Sequence, residues 1–254
     1  TTAVRCTPVG AVFLRYAQQV LDTLTEAETA CQRAAQRPEP LKICDFDVGS
    51  DYYPALMPLR QKHEFTFVKR KFSTPFFKEL EAGSFDIGLN FDLSPVPGIP
   101  GAERYADTCS VPIGQRRMGV CMMATNPLAV KRRLTRQDLI GVTVVINDSA
   151  YYDDFRYLVL RYMGNDLGLR FRLDPTWSVS TLSLIDLDGD IYVCALDIID
   201  SALAKRNDIK VYRELDSEEL LFTDCLVFVA HNQPAAELAR DLQQATKYGL
   251  PRKL

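Results

Sequence analysis

From Phe13 onward the apolar residues step by four and three, through Ala17, Val20, Leu24, Ala27 and Cys31 to Ala34. This is the a/d spacing of a helix that lies along a partner helix. Arg15, Gln18, Gln19, Asp22 and Glu26 fill the opposite face. Thr7-Pro8 supplies the start, the hydroxyl capping free amides while proline takes the first helical position, where its missing N–H costs nothing. Arg37-Pro38-Glu39-Pro40 forbids continuation and favours an extended linker. Roughly 28 residues at 1.5 Å rise make a rod of about 40 Å, longer than a small domain needs for a covering helix. The pattern therefore predicts a self-association helix within residues 1–39, with Phe13, Ala17, Val20, Leu24, Ala27, Cys31 and Ala34 as its seam, and a separate domain over 40–254.

In that second region the period changes. Leu41 to Phe46 reads as a short strand, with a helix from about Asp51 capped by Ser50, a second strand at Phe65–Arg70, a helix over Thr74–Ala82 closed by Gly83, and a third strand at Phe85–Phe91. Met118–Ala124 is a further apolar strand, followed by a short capped helix, Leu134–Gly141. The cycle then repeats, with a strand at Val142–Ile146, a helix at Tyr152–Met163, a strand at Phe171–Asp174, a helix at Ser180–Asp186 and a strand at Ile191–Leu196. Leu220–Ala230 returns as a strand, and a helix at about Ala235–Lys247 ends the chain. Strands alternating with helices imply an α/β fold with mostly parallel, doubly covered sheets. The repeat implies two lobes, about 40–116 plus 223–254 and about 117–222, joined by two crossings that form a hinge.

Composition narrows the function. Lys plus Arg number 30 against 33 Asp plus Glu, a net charge of −3, so the chain as given is a poor binder of nucleic acid. No apolar run is long enough to span a bilayer and no export signal is legible, which points to the cytoplasm. The seven cysteines are odd in number and lack CxxC spacing, which suits reduced, buried thiols. His63 and His231 have no cysteine at ligand spacing, so neither a metal nor another cofactor is expected, and both histidines read as solvated surface groups. No Gly-x-Ser-x-Gly, phosphate loop or metal motif points to an enzyme.

Four segments in order resemble the LysR-type transcriptional regulators. Thr7-Pro-Val-Gly10 before the seam helix is similar to that family's Thr-x-Ala-Gly, with Val9 in place of alanine. Leu80-Glu-Ala-Gly-Ser-Phe-Asp-Ile-Gly-Leu89 resembles the run that closes the family's first sheet. Asn126-Pro-Leu-Ala129 with Leu134–Gly141 is similar to the segment that opens the second lobe. Ser178-Val-Ser-Thr-Leu182 with Asp190–Leu196 corresponds to the stretch ending Gly-Ile-Ala-Leu-Leu-Pro, although Asp190 and Asp197 replace the glycine and proline. The resemblance implies a two-lobed effector domain of the type II periplasmic-binding-protein kind behind a linker helix. It also implies a winged helix-turn-helix before Thr1, with Thr1–Cys6 as the last strand of the wing.

That resemblance and the rule that ligands sit at the carboxyl ends of strands agree on an inter-lobe cleft. The first-lobe candidates for effector binding are Gly49 and Ser50, then Ser73 and Thr74, then Phe91 and Asp92. The second lobe offers Ser149, Ala150 and Tyr151, then Ser178, Val179 and Ser180. Helix N-termini favour anions, yet Asp45, Asp47, Asp51, Asp92, Asp148, Asp153, Asp154 and Asp197 crowd the same turns. Either they cap helices and turns, or Asp47, Asp92 or Asp197 holds an amine. Tyr52, Tyr53, Tyr151, Tyr152, Phe46, Phe91 and Trp177 could stack on a planar ligand or plug the sheet edge. The expected function is effector sensing by a homodimer or homotetramer, with promoter DNA and RNA polymerase as partners of the full-length regulator only and no membrane. The rivals are a periplasmic-type solute-binding protein and an enzyme, with a redox sensor built on Cys44 as a further alternative.

Overall fold

The computed structural model describes residues 7–35, 39–44, 52–69, 74–147, 150–176, 179–203 and 205–246, with backbone alone at 29–35, 179 and 180. By contacts the chain divides at Pro40. The first unit is one helix, α1 (Pro8–Ala35), 28 residues long. The Thr7 hydroxyl accepts the Gly10 N–H at 3.1 Å, the expected cap. Phe13 is 71% exposed, and Val20 and Leu24 are also exposed, together with Val9, Leu14, Tyr16 and Leu21 on the flanks of the same stripe. The side chains of Cys31 and Ala34 and all of Thr1–Cys6 lie outside the described residues.

The second unit is built on mixed sheets. β1 (Leu41–Cys44) pairs in parallel with β2 (Phe65–Val68). Between them run α2 (Tyr53–Leu56) and a 3-10 turn, Met57–Gln61. α3 (Phe76–Glu81) follows, then β3 (Gly88–Phe91), approached through a parallel bridge between Ile43 and Ile87. α3 begins two residues later than its pattern predicts because Pro75 keeps an extended ψ of 137°, and a residue before proline avoids the helical region. Gly83 closes it at φ +67°, a left-handed value that favours glycine.

The larger departure is β4, which spans Thr108–Met123 rather than starting at Met118. Pro112, Gly114, Gln115, Arg116 and Arg117 break the apolar run, so the strand is defined by its partner. That partner is β10 (Glu218–Val229), which runs antiparallel to it from Leu220–Met118 to Val229–Thr108. β10 also carries β3 on its other edge. Around the far end of β4 stand β5 (Thr143–Ile146), β6 (Arg170–Leu173) and β7 (Ile191–Ala195), with β6–β5–β7 parallel and β7 antiparallel to β4. α4 (Tyr152–Met163) connects β5 to β6 with the predicted bounds. The sequence reading did not predict α5 (Leu196–Leu203), which continues directly from β7, β8 (Ile209–Tyr212) or the two-residue β9 (Glu214–Leu215). α6 (Gln233–Thr246) closes the described chain.

Burial explains why β5 and β7 are apolar at nearly every position. One face packs Val144, Ile146 and Val193 with Leu158 and Val159 of α4, and the other packs Val145 and Tyr192 with Leu182, Ile185 and Ile199. A separate cluster joins Ile43, Phe65, Ile113 and Leu226 to Leu238 and Leu242 of α6. Each apolar face thus has a cover, as buried parallel strands require.

His63 is not the solvated group its sequence context suggested. Its side chain is buried, with Nε2 2.6 Å from an Asp241 oxygen that also receives Lys62 at 2.7 Å, because α6 packs over the turn after α2. His231 is exposed. Lys62, then His63, hold the Asp241 carboxyl below the usual carboxylate range. A depressed carboxylate stabilises the fold above its unfolded value, near pH 4, and the contribution fades as pH falls through the folded value. Asp241→Asn should therefore lower stability at neutral pH and flatten its decline below about pH 4; urea titrations at several pH values check this, and parallel curves would assign the pair no stabilising role. Phe222 is fully buried and stacks on Tyr162 at 4.3 Å. Phe222→Ala should cost about 3–5 kcal/mol in the same assay.

Candidate functional site

Ligands on such sheets lie just outside the carboxyl ends of strands, where the strand order reverses. Here β3 ends at Phe91, opposite Asp224 of β10, and β7 ends at Ala195, opposite Met118 of β4. Between those two ends the crossing pair carries a charged cluster. Arg116 pairs in register with Phe222, and Asp224 with Gly114, so alternation puts all four side-chain positions on one face. Arg116 donates Nε and Nη2 to Asp224 at 3.2 and 3.1 Å, a forked guanidinium–carboxylate contact. The two side chains are 11% and 5% exposed. The Tyr52 hydroxyl donates to the same carboxylate at 2.7 Å. It lies directly over Gly114, where an added Cβ would sit 2.3 Å from the oxygen. The register shifts between Asp224 and Cys225, leaving Ile113 as a bulge that turns into the α6 core.

The last member is Asp197, in the first turn of α5. Its carboxylate is 66% exposed and reaches Arg116 Nη1 only at 3.5 Å. Burial opposes the arginine's charge, but Asp224 first and Asp197 after it outweigh this and raise its pKa. Arg116 stays cationic at any pH the fold survives.

Of the residues expected at the cleft, Asp47, Gly49, Ser50, Ser73, Ser149 and Ser178 lie outside the described residues. Val179 and Ser180 are placed by backbone alone, in a kinked 3-10 segment, Val179–Leu184. Thr74 precedes α3. Phe91 packs edge-on to Phe222 at 5.3 Å and Ala150 is buried. The Tyr151 hydroxyl donates to the Asn90 side-chain oxygen Oδ1 at 3.2 Å, bringing the end of β3 against the start of α4. Tyr53 packs edge-on to Phe67, and the Tyr152 hydroxyl donates to the Phe171 carbonyl, so these aromatics serve packing.

Of the eight aspartates near the turns, Asp45, Asp47, Asp51 and Asp148 lie outside the described residues, and three of the others are engaged. Asp92 is paired with Arg161 at 2.5 Å and accepts the Ser94 N–H at 3.0 Å, while Arg161 also donates to the Ser94 carbonyl. Asp153 pairs with Arg104, and Asp154 accepts the Tyr105 hydroxyl. These three are each committed to a neighbour on an adjoining segment, because α4 lies across the chain that leaves β3. Asp197 differs in holding its partner loosely. Arg116 and Asp224 were missed. The readable sign was a lone aspartate inside the apolar run of β10 and a polar trio, Gln115-Arg116-Arg117, beside an apolar strand.

A groove of about 730 Å³ lies elsewhere, beyond β6, lined by Arg172, Asp174, Asp186, Asp188 and Asp190. Arg172 is already shared between Asp190 and Asp174, while the Asp174 carboxylate accepts the Thr176 backbone N–H and the Asp186 carboxylate accepts the Asp188 backbone N–H. Arg172, Asp174, Asp186 and Asp190 are thus already engaged. Among the described residues no set of three His, Cys, Asp or Glu side chains is placed to hold a metal.

No protein-family model and no curated protein matches this sequence. Solved structures do. The regulatory domain of MetR, a LysR-family regulator from N. meningitidis, superposes with a TM-score of 0.52 at 13% identity, covering 81% of this chain and 93% of that one. This chain has the fold of a LysR-type regulatory domain. A mutant of full-length BenM matches at TM-score 0.51 and 16% identity, over 100% of this chain and 83% of that one. A Corynebacterium glutamicum OxyR mutant with bound hydrogen peroxide matches at 0.52 and 16%, over 95% and 76%. In the LysR-type frame the fold is of the two-lobed type II periplasmic-binding kind, and the Arg116 cluster sits on the β4–β10 pair.

Arg116→Met should cost about 3–5 kcal/mol, because it leaves Asp224 buried without its counter-ion. Arg116→Met with Asp224→Leu should recover most of that loss in equilibrium unfolding, and a double variant as weak as the single one would deny the pairing its role.

Proposed function

We propose that this chain is the ligand-sensing part of a LysR-type transcriptional regulator, binding a small-molecule effector between its lobes. The observation that carries the reading is the β4–β10 crossing, which places a buried arginine and its carboxylates between the ends of β3 and β7. An effector that binds one lobe arrangement better than the other shifts the population toward it, and only by that difference in affinity. The exposed apolar stripe of α1 then pairs with a second copy, giving a homodimer, or a homotetramer when sensing domains also pack together. In a full-length regulator the change passes to a winged helix-turn-helix on promoter DNA and to RNA polymerase, in the cytoplasm. Among the described residues no helix is long and apolar enough to cross a membrane.

Two rivals find less support. The solved neighbours named above are transcriptional regulators and lend no support to a periplasmic-type solute-binding protein. Thiol-based sensing needs an accessible thiolate, whereas Cys44, Cys121, Cys194 and Cys225 are buried. Burial pushes the Cys194 thiol up to about 11 and raises Cys121 and Cys225 as well.

A thermal-shift screen against amino acids, amines, aromatic acids and sugar phosphates tests the function. A ligand at 100 times its Kd adds about 2.7 kcal/mol of stability, and silence across all classes would refute sensing by this cleft. Val20→Glu with Leu24→Glu should convert the dimer to monomer in sedimentation equilibrium while leaving the unfolding transition of the sensing domain in place. An unchanged dimer would remove the seam assignment.

A further inference from the structure

Two surfaces of opposite charge stand side by side on the larger unit. One is the turn that follows β4. Asn126 Oδ1 caps it by accepting the Leu128 N–H at 2.9 Å, and the Tyr212 hydroxyl is shared between the Leu128 and Lys131 carbonyls at 2.8 and 2.7 Å. Held at both ends, the turn leaves Val130 86% exposed, followed by exposed Lys131, Arg132 and Arg133. Lys131 is paired with Asp138. Among the described residues Arg132 has no partner, and Arg133 meets only the Ser217 hydroxyl, at 3.4 Å. The other surface is the groove beyond β6, where one guanidinium, Arg172, faces the carboxylates of Asp174, Asp186, Asp188 and Asp190. Pairing of Arg172 with Asp190 and Asp174 still leaves the groove acidic, and its wall carries Leu184, 76% exposed. The surfaces adjoin, because Asn126 Nδ2 donates to the Gly189 carbonyl at 2.6 Å, between Asp188 and Asp190.

Resting on the self-association reading above, we propose that two copies of this chain dock about a two-fold axis, the basic turn Val130–Arg133 of each seated in the acidic groove of the other. A two-fold interface joins one patch to the same patch on the second copy, so the patch must complement itself. A patch of a single sign would set like charges against each other, which is costly across an interface. A basic half beside an acidic half meets the requirement, since rotation by 180° lays each half over its opposite. Arg132 and Arg133 then gain carboxylates, and Val130 and Leu184 leave water in the same contact. The groove, about 730 Å³, is as large as pockets that take drug-sized ligands and has room for the arginine side chains. The turn loses little freedom on docking, because Asn126 and Tyr212 already hold its backbone. The complement that the groove needs is thus carried by the chain itself, next to it.

The test is sedimentation equilibrium of the chain across ionic strengths. Dimers formed through α1 should associate further at low salt and come apart to dimers as salt screens the charges. Arg132→Glu with Arg133→Glu should weaken the further association about 100-fold or more, because like charges then face each other. Leu184→Lys with Asp186→Lys and Asp188→Asn reverses the sign of the groove and should weaken it as much. Asparagine serves at 188 because the backbone there has φ +42°, which it tolerates. All five positions are exposed, so both variants should keep the parent's unfolding transition. Mixing the two variants should restore the association, since in a mixed pair both contacts again join opposite charges. Misfolding cannot produce that recovery. A parent chain that stays dimeric at every ionic strength, or a mixture that fails to recover, would overturn the proposal while leaving the α1 pairing standing. If α1 does not pair, the same steps run between monomer and dimer, so failure of the seam and failure of this surface read differently. An oligolysine peptide that binds the chain while the chain shows no further association would assign the groove to a separate basic partner and overturn the docking of copies.

Discussion

The antiparallel pairing of β4 with β10 is the constraint on which the remaining architecture depends. Over Thr108–Met118 and Leu220–Val229 these strands exchange backbone hydrogen bonds. β3 attaches to β10 at one end, and β7 and β8 attach to β4 at the other. The strand order of the larger sheet is organised around this pair. A charge in the middle of such a ladder is expensive to bury, and the cost is met because Arg116 and Asp224 stand diagonally across it on one face. Tyr52 completes the carboxylate's shell, and Gly114 is needed there because any side chain would displace the tyrosine hydroxyl.

A second set of contacts sets how the lobes meet. α4 directs Tyr151, Tyr157, Arg161 and Tyr162 onto the chain around β3 and β10. Tyr157 bonds both the Ser94 carbonyl and the Val96 amide, and Tyr162 receives the Thr223 amide. These groups are short, directional and partly buried, so they favour discrete arrangements over continuous sliding. The Arg116–Asp197 contact lies next to this set.

Aspartates illustrate how far local chemistry reads from sequence. Eight of them near predicted turns suggested a site for a cation, and composition alone cannot tell an available carboxylate from a committed one. The partners that commit Asp92, Asp153 and Asp154 are Arg161, Arg104 and Tyr105, which lie 69, 49 and 49 residues away in sequence. The same distance hid His63, whose partner Asp241 is 178 residues on.

The sequence by itself determined what depends on local spacing. The 3-4 alternation ending at two prolines defined α1, and unbroken apolar runs defined β5 and β7. The Tyr152–Met163 period defined α4, the repeat of strand and helix defined the fold class, and four short segments carried the resemblance to LysR-type regulators. Tertiary structure alone decided what depends on pairing across the chain. β4 extends ten residues before its apolar stretch because β10 lies beside it, and α5 follows β7 without a break. Arg116 becomes the centre of the candidate site because burial beside Asp224 fixes a guanidinium that, in sequence, is one of several in a polar segment.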